Sequence, residues 1–235
     1  PSIFVQNLNF ADIDNDGAID FFACHDDGIS SPYHNNGTGT LTHTASLINT
    51  ASTVPSDNSG NYGSIWTDYD DDGDLDLYIS KCRGGVSNPT DGRRLNLLFQ
   101  NDGSNNFTEV APAANLQPQR QSWATVFGDL DNDGDQDAMM LNHGLSSILY
   151  ANDGDGTFTD ISAISGISTE ISNIGLGIQV IMADFDNDTF LDILCTTRSG
   201  IHYLFYNDGD MTFTPSSPFF SGTTDIQSGA SGDLN

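Results

Sequence analysis

The sequence predicts an all-β chain of repeated four-stranded units, and three observations carry that prediction. An aspartate-rich loop recurs four times, a second turn motif recurs between its copies, and no run keeps a helical apolar period with caps.

The first motif reads FADIDNDGAID from Phe10 to Asp20. It returns as WTDYDDDGDLD (Trp66–Asp76), FGDLDNDGDQD (Phe127–Asp137) and MADFDNDTFLD (Met182–Asp192). The leading aspartates stand at 12, 68, 129 and 184, spaced by 56, 61 and 55 residues, and GDLN at 232–235 begins a fifth copy. The second motif reads LFQNDGSNNFTEV from Leu98, LYANDGDGTFTDI from Leu149 and LFYNDGDMTFTPS from Leu204, with the weaker PYHNNGTGTLTHT from Pro32. Asn, Asp and Gly tolerate the positive φ of tight turns, so each copy reads as a hairpin.

Each unit therefore holds four short strands. In the second they are expected at Gly63–Thr67, Leu77–Lys81, Leu95–Gln100 and Phe107–Val110. The acidic loop joins the first pair and the NDG turn joins the second. Four-stranded antiparallel units of this period are propeller blades. Approximate blade bounds are 1–48, 49–111, 112–163 and 164–220, with 221–235 opening a further blade, all within one β-propeller region spanning 1–235.

Composition agrees. The net charge is −27, and of 33 acidic residues Glu109 and Glu170 are the two glutamates, the rest being aspartates. Aspartate favours turns and oxygen cages over helices. Six basic residues cannot serve a phosphate backbone, which excludes a nucleic-acid partner. No apolar run is long enough for a membrane span. Cys24, Cys82 and Cys195 form no CxxC pair; they read as buried thiols, with one disulfide as the alternative. The chain opens at Pro1 with no charged-then-apolar leader, so a mature chain is expected, its signal peptide already removed.

The DxDxDGxxD loops, each followed by an apolar strand such as LYISKC or ILCTT, and the LYxNDGxGTFT segments resemble the FG-GAP/VCBS repeats of integrin-α-type propellers. The resemblance covers essentially the whole chain. It implies calcium binding and adhesion or recognition of proteins or glycans. It also implies a ring of about seven blades, so this chain is expected to be part of a longer one.

The loops themselves point to calcium, a hard cation that takes six to eight oxygens. Carboxylates at positions 1, 3, 5 and 9 of a tight loop converge on one point, and position 7 offers its carbonyl. The expected ligands are Asp12, Asp14, Asp16, Ala18 and Asp20 in the first loop, then Asp68, Asp70, Asp72, Asp74 and Asp76. The third loop offers Asp129, Asp131, Asp133, Asp135 and Asp137, and the fourth Asp184, Asp186, Asp188, Phe190 and Asp192. Crowded carboxylates repel one another unless a cation lies among them. The fourth loop departs from the pattern, placing Thr189 where Gly17, Gly73 and Gly134 stand in the others.

Signs of catalysis are few. His25, His34, His43, His143 and His202 form no short metal pair, and no nucleophile or phosphate-binding motif is present. The longest link between second and third strands, Lys81–Arg94, holds four of the six basic residues: Lys81, Arg83, Arg93 and Arg94. These are either a site for an anionic partner or cations paired with nearby aspartates such as Asp91. The expected function is a secreted or cell-surface, calcium-binding module for a protein or glycan, bound at the end of the blades opposite the calcium loops. A calcium-dependent polysaccharide-cleaving enzyme of lyase type is the alternative.

Overall fold

The computed structural model describes residues 4–216, so the fifth motif copy at 232–235 lies outside the described residues. Four four-stranded antiparallel sheets make up the fold, each with its strands side by side in chain order. The first contains β1 (Val5–Ala11), β2 (Asp20–His25), β3 (Ser31–Asn35) and β4 (Leu41–His43). The second contains β5 (Asn61–Thr67), β6 (Asp76–Lys81), β7 (Leu97–Asn101) and β8 (Phe107–Glu109). The third contains β9 (Ser122–Gly128), β10 (Asp137–Asn142), β11 (Ile148–Asn152) and β12 (Phe158–Asp160). The fourth contains β13 (Gly177–Ala183), β14 (Asp192–Thr197), β15 (Tyr203–Asn207) and β16 (Phe213–Pro215). Each sheet is one propeller blade.

The second strand of each blade is the most buried. Every residue of β6 and β10 is buried, which explains why DLYISK and DAMMLN read as near-continuous apolar runs rather than alternating ones. Contacts divide the described chain into two compact units, meeting between Ser122 and Trp123. In the first, Phe22, Cys24, Leu77, Ile79 and Phe99 pack together, and Trp66 meets Phe22 edge-on at 6.0 Å. In the second, Met139, Leu141, Leu149, Ile193, Cys195 and Phe205 form one cluster. All three cysteines are free and buried.

Two short helical segments depart from the expectation of a helix-free chain. Pro55–Asn58 forms a 3₁₀ turn, and α1 (Ser168–Asn173) lies in the link before β13. Ile167, Ile171 and Ile174 follow the helical spacing and all enter the core of the second unit. No side chain caps the N-terminus of α1, so the cap signal that announces a helix in sequence is missing. Packing of its isoleucines holds it instead.

At the far end of the strands the links follow one rule. The N–H of the last residue in each second strand donates to a side chain just before the third: His25 to Ser30, Lys81 to Asn96, Asn142 to Ser147 and Thr197 to His202. Gly60 locks the first unit there. Its N–H donates to Asp26 O, its carbonyl accepts from Cys82, its φ is +85°, and an added Cβ would lie 2.5 Å from Arg93 O. Gly37 has a similar φ of +74° with open space around it. Gly37→Ala should cost about 1 kcal/mol, the strain of a left-handed L-residue. Gly60→Ala should cost a further ~1–3 kcal/mol because backbone must move. Equal midpoints in urea for the two variants would show that the close approach carries no energy.

Candidate metal centres

The acidic loops repeat one hydrogen-bond scheme. The first aspartate accepts from the N–H groups of positions 5 and 6. Asp12 takes Asp16 and Gly17 at 3.0 and 2.9 Å, and Asp68 takes Asp72 and Gly73 at 3.1 and 3.0 Å. Asp129 takes Asp133 and Gly134, both at 3.1 Å, and Asp184 takes Asp188 and Thr189 at 3.1 and 3.0 Å. The position-5 carboxylate accepts from position 7, as Asp16 does from Ala18 at 2.8 Å and Asp72 from Asp74 at 3.0 Å. Asp133 and Asp188 do the same for Asp135 and Phe190.

Position 9 ties the loop to the sheet. Asp20, Asp76, Asp137 and Asp192 are all buried. One oxygen of each accepts from the loop's second residue: Ile13 at 3.1 Å, Tyr69 at 3.2 Å, Leu130 at 2.8 Å and Phe185 at 2.8 Å. The other accepts from the Asn that opens the next hairpin: Asn35 at 2.7 Å, Asn101 at 2.8 Å, Asn152 at 2.9 Å and Asn207 at 2.9 Å. That Asn returns the contact, its amide donating to the carbonyl of the residue before the aspartate. The Asn of NDG thus does more than initiate a turn, a role that composition alone does not announce.

Carboxylate oxygens from positions 1, 3 and 9 lie within 4.8 Å of one another in every loop: Asp12, Asp14 and Asp20; Asp68, Asp70 and Asp76; Asp129, Asp131 and Asp137; Asp184, Asp186 and Asp192. In the first loop His34 adds its ring nitrogen, 3.4 Å from Asp14 and 3.1 Å from Asp16. In the second the equivalent Gln100 donates to Asp70 at 2.6 Å. The position-5 carboxylates stand outside the three-oxygen groups, their Oδ1 atoms occupied by position 7.

The electrostatics of these groups call for a cation. Asp14 Oδ1 and Asp70 Oδ1 are buried with no hydrogen-bond donor, a costly state for an acceptor. Burial, then the neighbouring carboxylates, raises Asp14. Burial raises Asp70, Asp131 and Asp192 as well, and pushes Asp76 and Asp137 up to about 7. A divalent ion at the convergence point would reverse each of these penalties.

The fourth loop adopts the same geometry as the others. Thr189 sits at φ +83° where Gly17, Gly73 and Gly134 sit at +86°, +91° and +105°. Position 4 is also left-handed, at Asn15, Asp71, Asn132 and Asn187, a demand met by the residue types that tolerate it.

Of the four cations between positions 81 and 94, two pair with aspartates while half-exposed and two are buried. Arg83 bonds Asp26 and Asp27 at 3.2 and 2.7 Å, and Arg93 forks onto Asp91 at 2.8 and 2.7 Å. Arg94 is buried and donates to Ser87 O, and Lys81 is buried and donates to Asp57 O. Among the histidines, His143 stacks on Trp123 with ring centroids 4.4 Å apart, and His25 accepts from the Asp27 N–H.

Blades of four antiparallel strands, each carrying a carboxylate loop that could hold a metal ion, define an all-β propeller repeat. The FG-GAP-like repeat family matches residues 12–79, 85–140, 142–195 and 184–235, and the chain belongs to that family. No curated protein matches. A solved structure is similar in fold: the Agrocybe aegerita lectin described for specific recognition of non-reducing terminal N-acetylglucosamine, with TM-score 0.53 and 18% identity. The match covers 91% of this chain and 52% of the lectin chain, so this chain spans about half the length of that neighbour.

Two outcomes are expected of the loops themselves. Thr189→Gly should stabilise the protein by about 1 kcal/mol by relieving left-handed strain, and Gly134→Thr should destabilise it by ~1–2 kcal/mol; unchanged melting in both would mean position 6 bears no strain. Asp76 and Asp137 have folded-state values raised to about 7, above an unfolded value of about 3.9. Their contribution is therefore fully present below pH ~4 and is lost as pH rises through about 7. Chelator-treated protein should melt higher at pH 5 than at pH 8, and Asp76→Asn should flatten the slope. A melting temperature rising with pH would contradict the burial argument.

Proposed function

We propose that this chain is a secreted or cell-surface binding module, a calcium-stiffened propeller that presents its inter-strand links to a glycan or protein ligand. The observation that carries the calcium reading is the pair of donorless buried oxygens, Asp14 Oδ1 and Asp70 Oδ1, each at a point where three carboxylates meet. The three oxygens from positions 1, 3 and 9 that every loop shares suit calcium. Positions 1, 3 and 9 would hold the ion in each of the four loops, with the position-5 carboxylates and position-7 carbonyls as further oxygens. The role is structural: the ion offsets part of the loop's negative charge and fixes the start of the second strand. Extracellular calcium is abundant enough for modest sites, which favours an extracellular location.

Family membership and the lectin neighbour support a binding module over an enzyme. The pairing of Arg83 and Arg93 with aspartates and the stacking of His143 leave the alternative of polysaccharide cleavage without a specific observation in its favour.

Calcium at about a hundred times its dissociation constant stabilises by ~2.7 kcal/mol per site. Chelation should therefore lower the melting temperature by at least ~5–10 °C. A glycan array probed with and without calcium should give calcium-dependent signals with no turnover of the bound sugars. An unchanged melting temperature would sink the structural role of calcium, and product release from a bound polysaccharide would sink the binding-module reading.

A further inference from the structure

The second blade differs from the others at its link end. The closing hydrogen bond between the second and third strands spans 25 to 30, 142 to 147 and 197 to 202 in three blades, but 81 to 96 in the second. The longer link, together with the preceding stretch Thr50–Asn61, encloses a cavity of about 160 Å³ lined by Thr50, Asp57, Asn58, Lys81, Leu95 and Leu97 among others. In the third and fourth blades the side chain equivalent to Lys81 closes its own turn: Asn142 donates to Ser146 O, and Thr197 to Ile201 O. Lys81 instead reaches into the cavity, 1% exposed.

An ammonium has three donors, and that of Lys81 has one acceptor, the carbonyl of Asp57. The Thr50 hydroxyl and the Asn58 amide nitrogen on the cavity wall form no hydrogen bond among the described residues, whereas Asn58 Oδ1 is occupied by the Ser52 N–H. The Asp57 carboxylate accepts from Ser56 and lies against Gly92, where an added Cβ would fall 2.4 Å from Oδ2. Two N–H donors of Lys81 therefore have no acceptor among the described residues, on a buried charge that the Asp57 and Asp91 carboxylates act on through space without bonding it, a state that water or a ligand relieves. Burial also lowers the Lys81 ammonium to about 8.

We propose that the Lys81 cavity binds a carboxylate on a small ring-bearing ligand, the carboxylate meeting Lys81, Thr50 and Asn58 and the ring body lying on Leu95 and Leu97. At about 160 Å³ the space is below the range of drug-sized pockets and suits a single uronic acid residue rather than a chain segment. The arginines of the same link are not needed for it, since Arg83 and Arg93 are already paired. The inference deepens the binding-module reading and rests on it.

The test is calorimetric titration of the calcium-loaded chain with D-glucuronate, D-glucose and acetate. Glucuronate should bind, acetate should compete more weakly, and glucose should not bind. Lys81→Met, which removes a buried charge without leaving one unpaired, should still fold and should weaken glucuronate by about 30-fold or more. Thr50→Val, close in shape, should weaken it about three- to tenfold. Glucuronate binding unchanged in Lys81→Met, glucose binding as tight as glucuronate, or acetate binding as tight as glucuronate would each overturn the proposal, the last by making the site one for free carboxylates. Array glycans bound equally by wild type and Lys81→Met would overturn this site alone, whereas an array with no signal at all would overturn the binding-module reading too.

Discussion

The buried aspartate that ends each acidic loop is the constraint on which the rest of the blade depends. Asp20, Asp76, Asp137 and Asp192 each join three pieces of chain: the loop before them, their own strand and the third strand of the blade. A carboxylate buried with two backbone N–H donors is well satisfied in its hydrogen bonds, yet ionising it there, away from water, leaves a charge to be balanced. That residual charge sits within 4.8 Å of two further carboxylates. One residue therefore sets the register of the sheet and creates the electrostatic demand for a cation. Sheet and metal site are two consequences of the same burial.

The coupling explains the second motif. The hairpin Asn is fixed because its N–H and its amide both face the aspartate's neighbourhood. Its Gly is fixed because the position-7 side chain of the acidic loop packs over it: Asp74 over Gly103, Asp135 over Gly154 and Phe190 over Gly209. In the first blade position 7 is Ala18 and Gly37 has open space, so there the demand is the left-handed backbone alone. The two motifs recur at the same period because each supplies what the other leaves unsatisfied.

Much of this was legible in the sequence, for a physical reason. The four blades of the described residues, their strand order, the loop positions and the approach of the aspartates at positions 1, 3 and 9 follow from spacing. The position-5 aspartates, expected to converge with them, lie outside those three-oxygen groups. The strands of the second blade come out at Asn61–Thr67, Asp76–Lys81, Leu97–Asn101 and Phe107–Glu109, within two residues of their expected bounds at every end. What was not legible depends on contacts between distant residues. Helix α1 has no cap to advertise it and is held by Ile167, Ile171 and Ile174 in a core formed by other strands. The pairing of Arg83 with Asp26 and Asp27 spans more than fifty residues, so no local pattern separates a presented cation from a spent one. His34 beside Asp14 and Asp16 is likewise invisible until β3 folds back along the loop.

The two ends of the strands obey different rules, and the difference locates variability. At the loop end an insertion would displace positions 1, 3 or 9, break the carboxylate group and uncover the buried aspartate. At the link end one backbone N–H and one side-chain acceptor suffice, and the closure from Lys81 to Asn96 is made as well as the shorter one from His25 to Ser30. Lengthening a link from five to fifteen residues adds only about 1 kcal/mol of closure entropy, because the cost grows with the logarithm of length. The arginines Arg83 and Arg93 of the added length pair with Asp26, Asp27 and Asp91, which is the expected outcome where aspartates far outnumber cations. Lys81 stands apart because it belongs to the strand rather than to the link. The rigid sheet fixes where its chain begins, the surrounding link removes it from water, and the charge it holds there is a property of the scaffold put to use by the insertion.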